Sequence, residues 1–467
     1  MSTLPFDPTR ADVGTLTAAY ADGEVSPVAV TQTIIELAEN AGRDLSAIAA
    51  IDQEVALAAA AASEQRWSDG QPLGPLDGVP VSVKDSFHME GLKRWHGSKL
   101  NDASPPSKHD GAPVKRLREG GAVVFAKTAM PDFGLLGSGV SSQFGVTRNP
   151  WDPATSPGGS SSGAAALVAI GGGPVAIGTD MGGSVRFPAA LTGLVGLKPT
   201  QGRIAYDPPK LIGNAGPMGR TVADVAALLS VIGKPDDSDH LSLPGQFSWD
   251  GAVPESFDGV NIGVLVASNA APLDPEIEHA VMSQAVLLAA AGANVTEISA
   301  PVLSDDDIAV LETVLMTRGL PELIAAPEDA WTFLPKPLLA TLMRCKELTA
   351  VEHVTNEKKV EAMRARAAGV LNSFDYVVQP VAPIVSFPAE DPRPSRDGEE
   401  IENLIYTIPH NLTSLPAGVV CTTMSETGAP IGVQVSGRRF DDGGVLSVLA
   451  FLERSRPFDV PYPFATR

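Results

Sequence analysis

Two segments rich in glycine and serine are the part of the sequence best suited to chemistry. The first reads Ser-Pro-Gly-Gly-Ser-Ser-Ser-Gly over 156–163, and the second reads Gly-Thr-Asp-Met-Gly-Gly-Ser-Val-Arg-Phe-Pro over 178–188. Glycines beside serines let a substrate approach backbone N–H groups closely, which suits an oxyanion hole. They also suit a phosphate nest, but no Lys-Ser or Lys-Thr pair follows either glycine cluster, so the Walker pattern is absent. The segments therefore favour acyl transfer over phosphate binding.

The stretch from Gly158 to Arg203 resembles the amidase signature family, whose glycine- and serine-rich hallmark it matches almost throughout. The similarity extends from about residue 11 to the C-terminus, through Pro-Val-Ser-Val-Lys-Asp at 80–85 and Gly-Val-Gln-Val at 432–435. The resemblance implies an α/β fold with one large domain over 1–467. In that fold a mostly parallel or mixed central β-sheet is covered by helices on both faces.

The family's Ser-Ser-Lys triad falls on Lys84, Ser160 and Ser184, and the separation 184 − 160 = 24 agrees with the family's usual spacing. The resemblance implies that Ser184 is the nucleophile. Ser160, held at a cis peptide bond, would relay the proton to Lys84. The oxyanion hole is implied at the backbone N–H groups of Met181, Gly182, Gly183 and Ser184. A Ser-Ser-Lys triad with a backbone oxyanion hole implies no metal and no cofactor.

The chemistry of these residue types agrees with the implied roles. A serine hydroxyl is a poor nucleophile until a base takes its proton, and the sequence places no histidine in a suitable motif. A lysine can act as that base only when it is neutral, which burial at the end of an apolar strand achieves by desolvation. Without the serine loops, Lys84 would be interpreted as a solvated lysine paired with Asp85. Asp180 and Arg186 are expected to brace the nucleophile loop rather than to react.

Hydrophobic patterns predict the elements that position these residues. A strand over 79–83 ends at Lys84, and a second buried strand is predicted over 122–126. Alternation of strand, helix and strand over 262–298 indicates a βαβ unit. Further core strands are predicted at 376–378 and 431–435.

The substrate pocket is expected to come from two apolar segments, 133–141 and 304–345. The second segment is interpreted as a helical insertion and a candidate variable cap over the active site. Nine apolar residues of this segment could line the pocket or only pack a cap helix, and packing is the favoured interpretation for any one of them. They are Leu311, Val314, Leu315, Met316, Leu320, Ile324, Trp331, Phe333 and Leu334. We expect a pocket with apolar walls and no fixed charge.

Arg94-Trp95-His96 is a bulky departure from the Thr-Thr pair that many family members carry before Gly-Ser. It lies near the expected rim of the active site, where His96 could bind substrate. The favoured interpretation is a surface histidine packed by Trp95.

Composition excludes several classes of protein. The chain has 467 residues, 44% of them hydrophobic, and a formal net charge of −21, which repels nucleic acid and anionic membranes. Its two cysteines are too few for a disulfide framework or a thiolate metal cage. The first thirty residues carry neither a secretory signal nor a membrane anchor. The sequence therefore predicts a soluble cytoplasmic monomer or homodimer whose partner is a small amide, with no nucleic acid and no membrane.

Three functions remain open from the sequence. The leading hypothesis is an amidohydrolase that cleaves non-peptide, hydrophobic or aryl amides through a Ser184 acyl-enzyme, and esters or carbamates by the same chemistry. The alternative is the glutaminase subunit of a tRNA-dependent amidotransferase. Those subunits carry an aspartate before a T-x-P-x-N-L motif, and here Leu404 aligns with it. The second alternative is an inactive amidase-like binding protein, although all three triad positions are filled.

Overall fold

The computed structural model describes residues 6–210, 212–267 and 272–464, and most of its strands belong to one central sheet. The strands are β1 (Ile48–Ile51), β2 (Pro80–Lys84), β3 (Val123–Thr128), β4 (Val140–Ser141), β5 (Gly145–Val146), β6 (Val175–Asp180), β7 (Val195–Lys198), β8 (Asn214–Gly219), β9 (Asn261–Val264), β10 (Asn294–Glu297), β11 (Tyr376–Pro380), β12 (Ser395–Arg396), β13 (Glu399–Glu400), β14 (Ala417–Met424) and β15 (Pro430–Gly437).

The central sheet has 11 strands in the order β1-β3-β2-β6-β8-β7-β14-β15-β11-β9-β10. Strand β2 runs parallel to both of its neighbours, β3 and β6, and β9 runs parallel to β10 and β11. The other neighbouring pairs are antiparallel, including every pair from β6 through β8, β7, β14 and β15 to β11. Of the two predicted forms, the sheet therefore has the mixed one.

Helices cover both faces of this sheet. They are α1 (Val13–Ala21), α2 (Pro27–Leu37), α3 (Gln53–Ser68), α4 (Ala112–Glu119), α5 (Ser162–Ala169), α6 (Arg186–Thr192), α7 (Val222–Ile232), α8 (Pro275–Ala290), α9 (Asp305–Met316), α10 (Leu320–Ala325), α11 (Lys336–Lys346), α12 (Ala350–Leu371), α13 (Ile408–Leu412) and α14 (Asp442–Ser455). Side chains alternate between the two faces of a strand. Accordingly, Val419 of β14 packs with the core around α5 and α6, whereas Val420 packs with the core around α7 and α14.

Local sequence signals explain where several helices begin. The Ser26 side chain accepts hydrogen bonds from the Val28 and Ala29 N–H groups, and proline follows it at the first position of α2. Asp274 caps α8 in the same way, and the predicted βαβ unit is present as β9, α8 and β10. Within the described ranges, no helix combines the length and apolar character needed to cross a bilayer.

The segment predicted to be helical after residue 304 forms α9 to α12. Part of it packs on the loop between β3 and β4, where Leu323, Leu338 and Leu342 join Phe133 and Leu136 in one buried apolar cluster. This cluster fixes the loop that reaches the active site.

Candidate active site

Lys84 is the last residue of β2, and its side chain is completely buried. Its Nζ donates hydrogen bonds to Ser160 Oγ at 2.8 Å and to Thr179 Oγ1 at 2.8 Å. The neighbouring carboxylate of Asp85 pairs with Lys127 instead, at 2.8 Å. Lys84 is therefore directed at the first serine loop rather than at solvent or Asp85.

Burial sets the protonation state of this lysine. Desolvation lowers the pKa of Lys84 well below its ordinary value, and the positive charge of Lys210 lowers it further. Asp180 and Asp85 oppose this effect without cancelling it. A neutral amine can accept a proton, as a general base must.

The two serine loops are joined by their backbones. The Ser161 N–H donates to the Ser184 carbonyl oxygen at 3.1 Å, and Ser161 Oγ accepts a hydrogen bond from the Thr179 N–H at 3.3 Å. The Gly159–Ser160 peptide bond is cis, as the family resemblance implied. Only glycine fits at 159, because a Cβ there would lie 2.3 Å from the Ser138 carbonyl oxygen.

Asp180 and Arg186 brace the loop over 181–185, which carries Ser184, as expected. The Asp180 carboxylate accepts hydrogen bonds from the Gly183 N–H at 2.8 Å and from the Val185 N–H at 3.2 Å. Arg186 pairs with the same carboxylate at 2.8 Å, and both side chains are completely buried. The guanidinium keeps the pKa of Asp180 below its usual range despite burial, so the carboxylate remains ionised. The Gly183 amide is thus engaged within the loop.

Residues from the end of the chain complete this support. Arg186 donates to the Thr407 carbonyl oxygen at 2.9 Å and to the side chains of Gln434 and Asn411, each at 2.7 Å. The Thr407 hydroxyl donates to the Gly182 carbonyl oxygen at 2.5 Å. The segment that carries the T-x-P-x-N-L motif therefore fixes the peptide groups beside Ser184.

A cavity of about 290 Å³ opens on the nucleophile loop. Its lining residues include the partly exposed Ser184 together with Leu136, Leu315, Met316 and Leu404. Of the nine residues proposed from the helical segment, only Leu315 and Met316 line this cavity. Leu311 and Val314 pack in the core, and Ile324 is 59% exposed.

The expectation of a pocket without fixed charge is wrong. Glu312, Arg393, Glu400 and Glu402 also line the cavity. Arg393 pairs with Glu312 at 2.6 Å and lies 3.4 Å from Glu400. Glu312 precedes Leu315 and Met316 by three and four residues in α9, so all three share one helix face. The other charged residues come from the β12–β13 hairpin and its flanks, which no hydrophobic pattern had marked.

The interpretation of His96 as a surface residue packed by Trp95 is also wrong. The His96 ring is only 8% exposed and packs near Phe133, with 6.2 Å between ring centroids. Its Nδ1 lies 2.7 Å from Glu322 Oε1 in α10. Trp95 instead packs edge-on against Phe144.

Comparison with known proteins agrees with this geometry. The family model described as Amidase matches residues 29–446. The chain belongs to the amidase signature family. One curated relative, a glutamyl-tRNA(Gln) amidotransferase subunit from Myxococcus xanthus (strain DK1622), is 32% identical over 480 residues, covering 95% of this chain and 96% of the relative.

Solved amidase signature structures share the fold almost completely. A bacterial aryl acylamidase of the family superposes with a TM-score of 0.86 at 25% identity, covering 96% of each chain. The structure of 6-aminohexanoate cyclic dimer hydrolase gives a TM-score of 0.84 at 27% identity, covering 98% of this chain and 99% of that one. The protein is therefore an amidase signature member with a single large α/β domain.

Sequence reasoning about this amidase signature chain missed three groups of the site. Thr179 lies near the end of β6, which pairs with β2, so its place beside Lys84 could have been found from strand adjacency. The Glu402 carboxylate accepts a hydrogen bond from the Leu404 N–H at 2.6 Å, and no pattern in the sequence indicates that it lies in the site. The His96–Glu322 contact joins residues 226 positions apart, and no sequence pattern indicates it either.

Proposed function

We propose that this amidase signature protein hydrolyses the carbon–nitrogen bond of a carboxamide through an acyl-enzyme on Ser184. Two observations together carry the proposal. The buried Lys84 donates a hydrogen bond to Ser160, and the partly exposed Ser184 lines a cavity. Lys84 and Ser160 are closed to solvent, whereas Ser184 is open to a substrate. This is the arrangement that a relayed serine nucleophile requires.

In the acylation step, Ser184 Oγ attacks the amide carbonyl carbon and forms a carbon–oxygen bond. The Ser184 proton passes to Ser160 Oγ as the Ser160 proton passes to Lys84 Nζ. The carbon–nitrogen bond then breaks, and the leaving nitrogen takes a proton from Ser160, which regains one from Lys84. Water attacks the acyl-enzyme through the same relay, so that the acid is released and Ser184 is reprotonated.

The oxyanion of the tetrahedral intermediate needs backbone donors beside Ser184. The Gly183 N–H already donates to Asp180, so we assign the oxyanion first to the N–H groups of Met181, Gly182 and Ser184. Each such donor contributes about 3 kcal/mol to stabilisation of the transition state. Asp180 and Thr407 keep the loop in place while charge develops.

The acyl group is proposed to be predominantly apolar and uncharged. The buried side chains of the lining include the apolar Leu136, Leu315 and Met316. The charged residues are more exposed, and Arg393 already has two carboxylate neighbours. Esters and carbamates of the same acyl group should react, because the chemistry at the carbonyl carbon is shared.

The glutaminase subunit of a tRNA-dependent amidotransferase is the second candidate. The curated relatives support this candidate better than they support an amidase of apolar amides, since the Myxococcus xanthus protein at 32% identity and a Chloroflexus aurantiacus protein at 31% are both named as such subunits. Arg393 and Glu402 also line the cavity, where they could contact a zwitterion. Against it, Leu404 occupies the cavity wall where those subunits carry the aspartate that holds the glutamine amino group. The inactive binding protein is disfavoured by the intact triad.

The test compares kcat/KM for neutral primary amides of increasing acyl length with kcat/KM for free glutamine. Each added buried methylene should raise kcat/KM by about 2- to 4-fold, since its burial contributes up to about 0.8 kcal/mol. Ser184→Ala is the control and should abolish turnover. A preference for glutamine would refute an apolar acyl site and support the amidotransferase candidate. Failure of a fluorophosphonate to label Ser184, with no turnover of any substrate, would support the binding protein.

A further inference from the structure

A second, smaller cavity is also lined by Ser184. It measures about 30 Å³, and its lining residues include His96, Ser160, Thr179 and Ser184. Ser184 lines both cavities, so the nucleophile stands between them. A substrate carbonyl attacked by Ser184 can therefore place its two substituents in different cavities.

The position of Ser160 indicates which substituent enters the small cavity. Ser160 lines the small cavity, whereas the large cavity is lined by the preceding residue, Gly159. In the proposed relay the leaving nitrogen takes its proton from Ser160, so this nitrogen must lie on the Ser160 side. The small cavity measures about 30 Å³ and the large one about 290 Å³, so the Ser160 side suits ammonia or a small amine and the other side suits the bulk of the substrate.

The hydrogen bonds around His96 fix its tautomer. Glu322 Oε1 lies 2.7 Å from His96 Nδ1, and Glu322 Oε2 accepts a hydrogen bond from Asn101 Nδ2 at 2.6 Å. An ionised carboxylate is only an acceptor, so Nδ1 must carry the proton and donate it to Glu322. Nε2 is then an unprotonated acceptor. Burial, together with nearby Arg94, lowers the pKa of His96 to about 4, so the ring is neutral at pH 7.

The acceptor nitrogen of His96 is available to a ligand. The ring lines the small cavity, but Glu322 does not, so the edge that carries Nε2 faces the cavity. Among residues 6–210, 212–267 and 272–464, Nε2 has no hydrogen-bond partner. Nε2 is therefore an acceptor that a substrate group in the small cavity can reach.

The backbone supports the same interpretation of His96. Its φ of +52° lies in the left-handed region, which a residue with a side chain adopts at some cost. The conformation is held by the Phe133 N–H, which donates to the His96 carbonyl oxygen at 2.8 Å, and by the Gly97 N–H, which donates to Asp85 at 3.0 Å. Strain retained in this way is typical of residues that position a ligand.

We propose that His96 Nε2 accepts a hydrogen bond from an N–H of the leaving-group nitrogen, and that the protein therefore prefers primary amides, which release ammonia. The inference rests on the proposed hydrolase function, because it assumes acylation of Ser184. Of the other side chains that line this cavity, Thr179 Oγ1 accepts from Lys84 and Asp180 pairs with Arg186, whereas Ser86 Oγ has no partner in the described part of the chain and can also contact the leaving group. His96 is thus a substrate-binding residue, whereas Glu322 is a positioning residue that acts through it.

The test uses a primary amide and the methyl ester of the same acid. The two share the acyl group, but the ester offers no N–H to His96. Because kcat/KM reports acylation, His96→Phe should lower kcat/KM for the amide by about 3- to 10-fold, the value of one neutral hydrogen bond, and leave the ester within about twofold. Phenylalanine keeps an aromatic ring against Phe133. An equal loss on both substrates, or a loss on neither, would overturn the proposal.

A second variant covers the case in which His96→Phe does not fold. Glu322→Met keeps the length of the side chain but removes both acceptor oxygens, so nothing holds the proton on His96 Nδ1 and the ratio of amide to ester kcat/KM should fall. An unchanged ratio in folded Glu322→Met would also count against the proposal. Labelling of Ser184 by a fluorophosphonate distinguishes failure of the proposed hydrolase function from failure of the proposed role of His96. Wild-type protein that neither labels nor hydrolyses the ester contradicts the hydrolase function, whereas labelled, ester-active protein with an unselective His96→Phe contradicts only the role of His96.

Discussion

Replacing Glu402 with glutamine should stabilise the protein above neutral pH and change its stability little at pH 5. Burial raises the pKa of Glu402 to about 7 from an ordinary value of 4.5, and the nearby charge of Glu312 adds to this effect. The folded state therefore holds a proton that the unfolded state releases between pH 4.5 and 7. The stability contributed by this proton is complete below pH 4.5 and is lost as the pH rises through 7.

The size of the effect follows from the two pKa values. A change from 4.5 to about 7, at about 1.4 kcal/mol per pKa unit, corresponds to about 3 kcal/mol of unfolding free energy at pH 8. At pH 5 the same calculation leaves less than about 1 kcal/mol. Glutamine is a suitable replacement because its carbonyl oxygen can still accept the Leu404 N–H.

Equilibrium urea unfolding of wild type and Glu402→Gln at pH 5 and pH 8 measures this difference. Glu400→Gln is the matched control, because its side chain lines the same cavity but is 59% exposed, and it should show no comparable pH dependence. If Glu402→Gln changes the unfolding free energy equally at both pH values, the carboxyl is not desolvated in the way the structure indicates.

Three further substitutions test other parts of the site. Lys84→Met should lower kcat/KM by at least about 10³-fold without lowering the melting temperature. In the wild type, the pH–rate profile should fall on the acidic side as Lys84 is protonated, and a flat profile to pH 5 would contradict a neutral lysine base. Gly183→Ala should lower kcat by about 10²-fold, because φ at Gly183 is +122° and a Cβ there would lie 2.5 Å from Thr407 Oγ1. Gly74→Ala is the control and should leave kcat unchanged, because a Cβ at Gly74 would meet nothing within 4 Å. Leu342→Ala should lower the unfolding free energy measured in urea by about 2–5 kcal/mol and raise KM, because this fully buried residue packs against the loop that lines the large cavity. An unchanged unfolding free energy would show that the cluster is loosely packed.

The sequence was sufficient to predict that Lys84 meets Ser160, because one lies at the end of a buried strand and the other in a short motif, but it did not predict Thr179 beside them. It predicted the βαβ unit over 262–298 for the same reason, since runs of apolar residues between turns are local signals. Strands β7 and β8 were missed. Asn214–Gly219 contains two glycines and a proline, so it carries no strand pattern, and it pairs because its neighbours β6 and β7 offer open edges.

The polar residues of the pocket could not be predicted from local patterns. Glu402 becomes significant only because the β12–β13 hairpin brings it to a cavity formed by α9 and the nucleophile loop. His96 was assigned to the surface because its neighbours in the sequence are Arg94 and Trp95. Its burial depends on Phe133 and Glu322, which are distant in sequence and come together only in the folded chain.

The attachment of the nucleophile loop to Thr407, Asn411 and Gln434 has a consequence for biosynthesis. A ribosome that has translated Lys84, Ser160 and Ser184 has made all three residues of the proposed triad, but more than two hundred residues separate Ser184 from Thr407, Asn411 and Gln434. In the nascent chain the loop that carries Ser184 therefore lacks this support until β15 is synthesised and docks beside β14. The proposed hydrolytic activity should thus arise late, after nearly all of the polypeptide has left the ribosome.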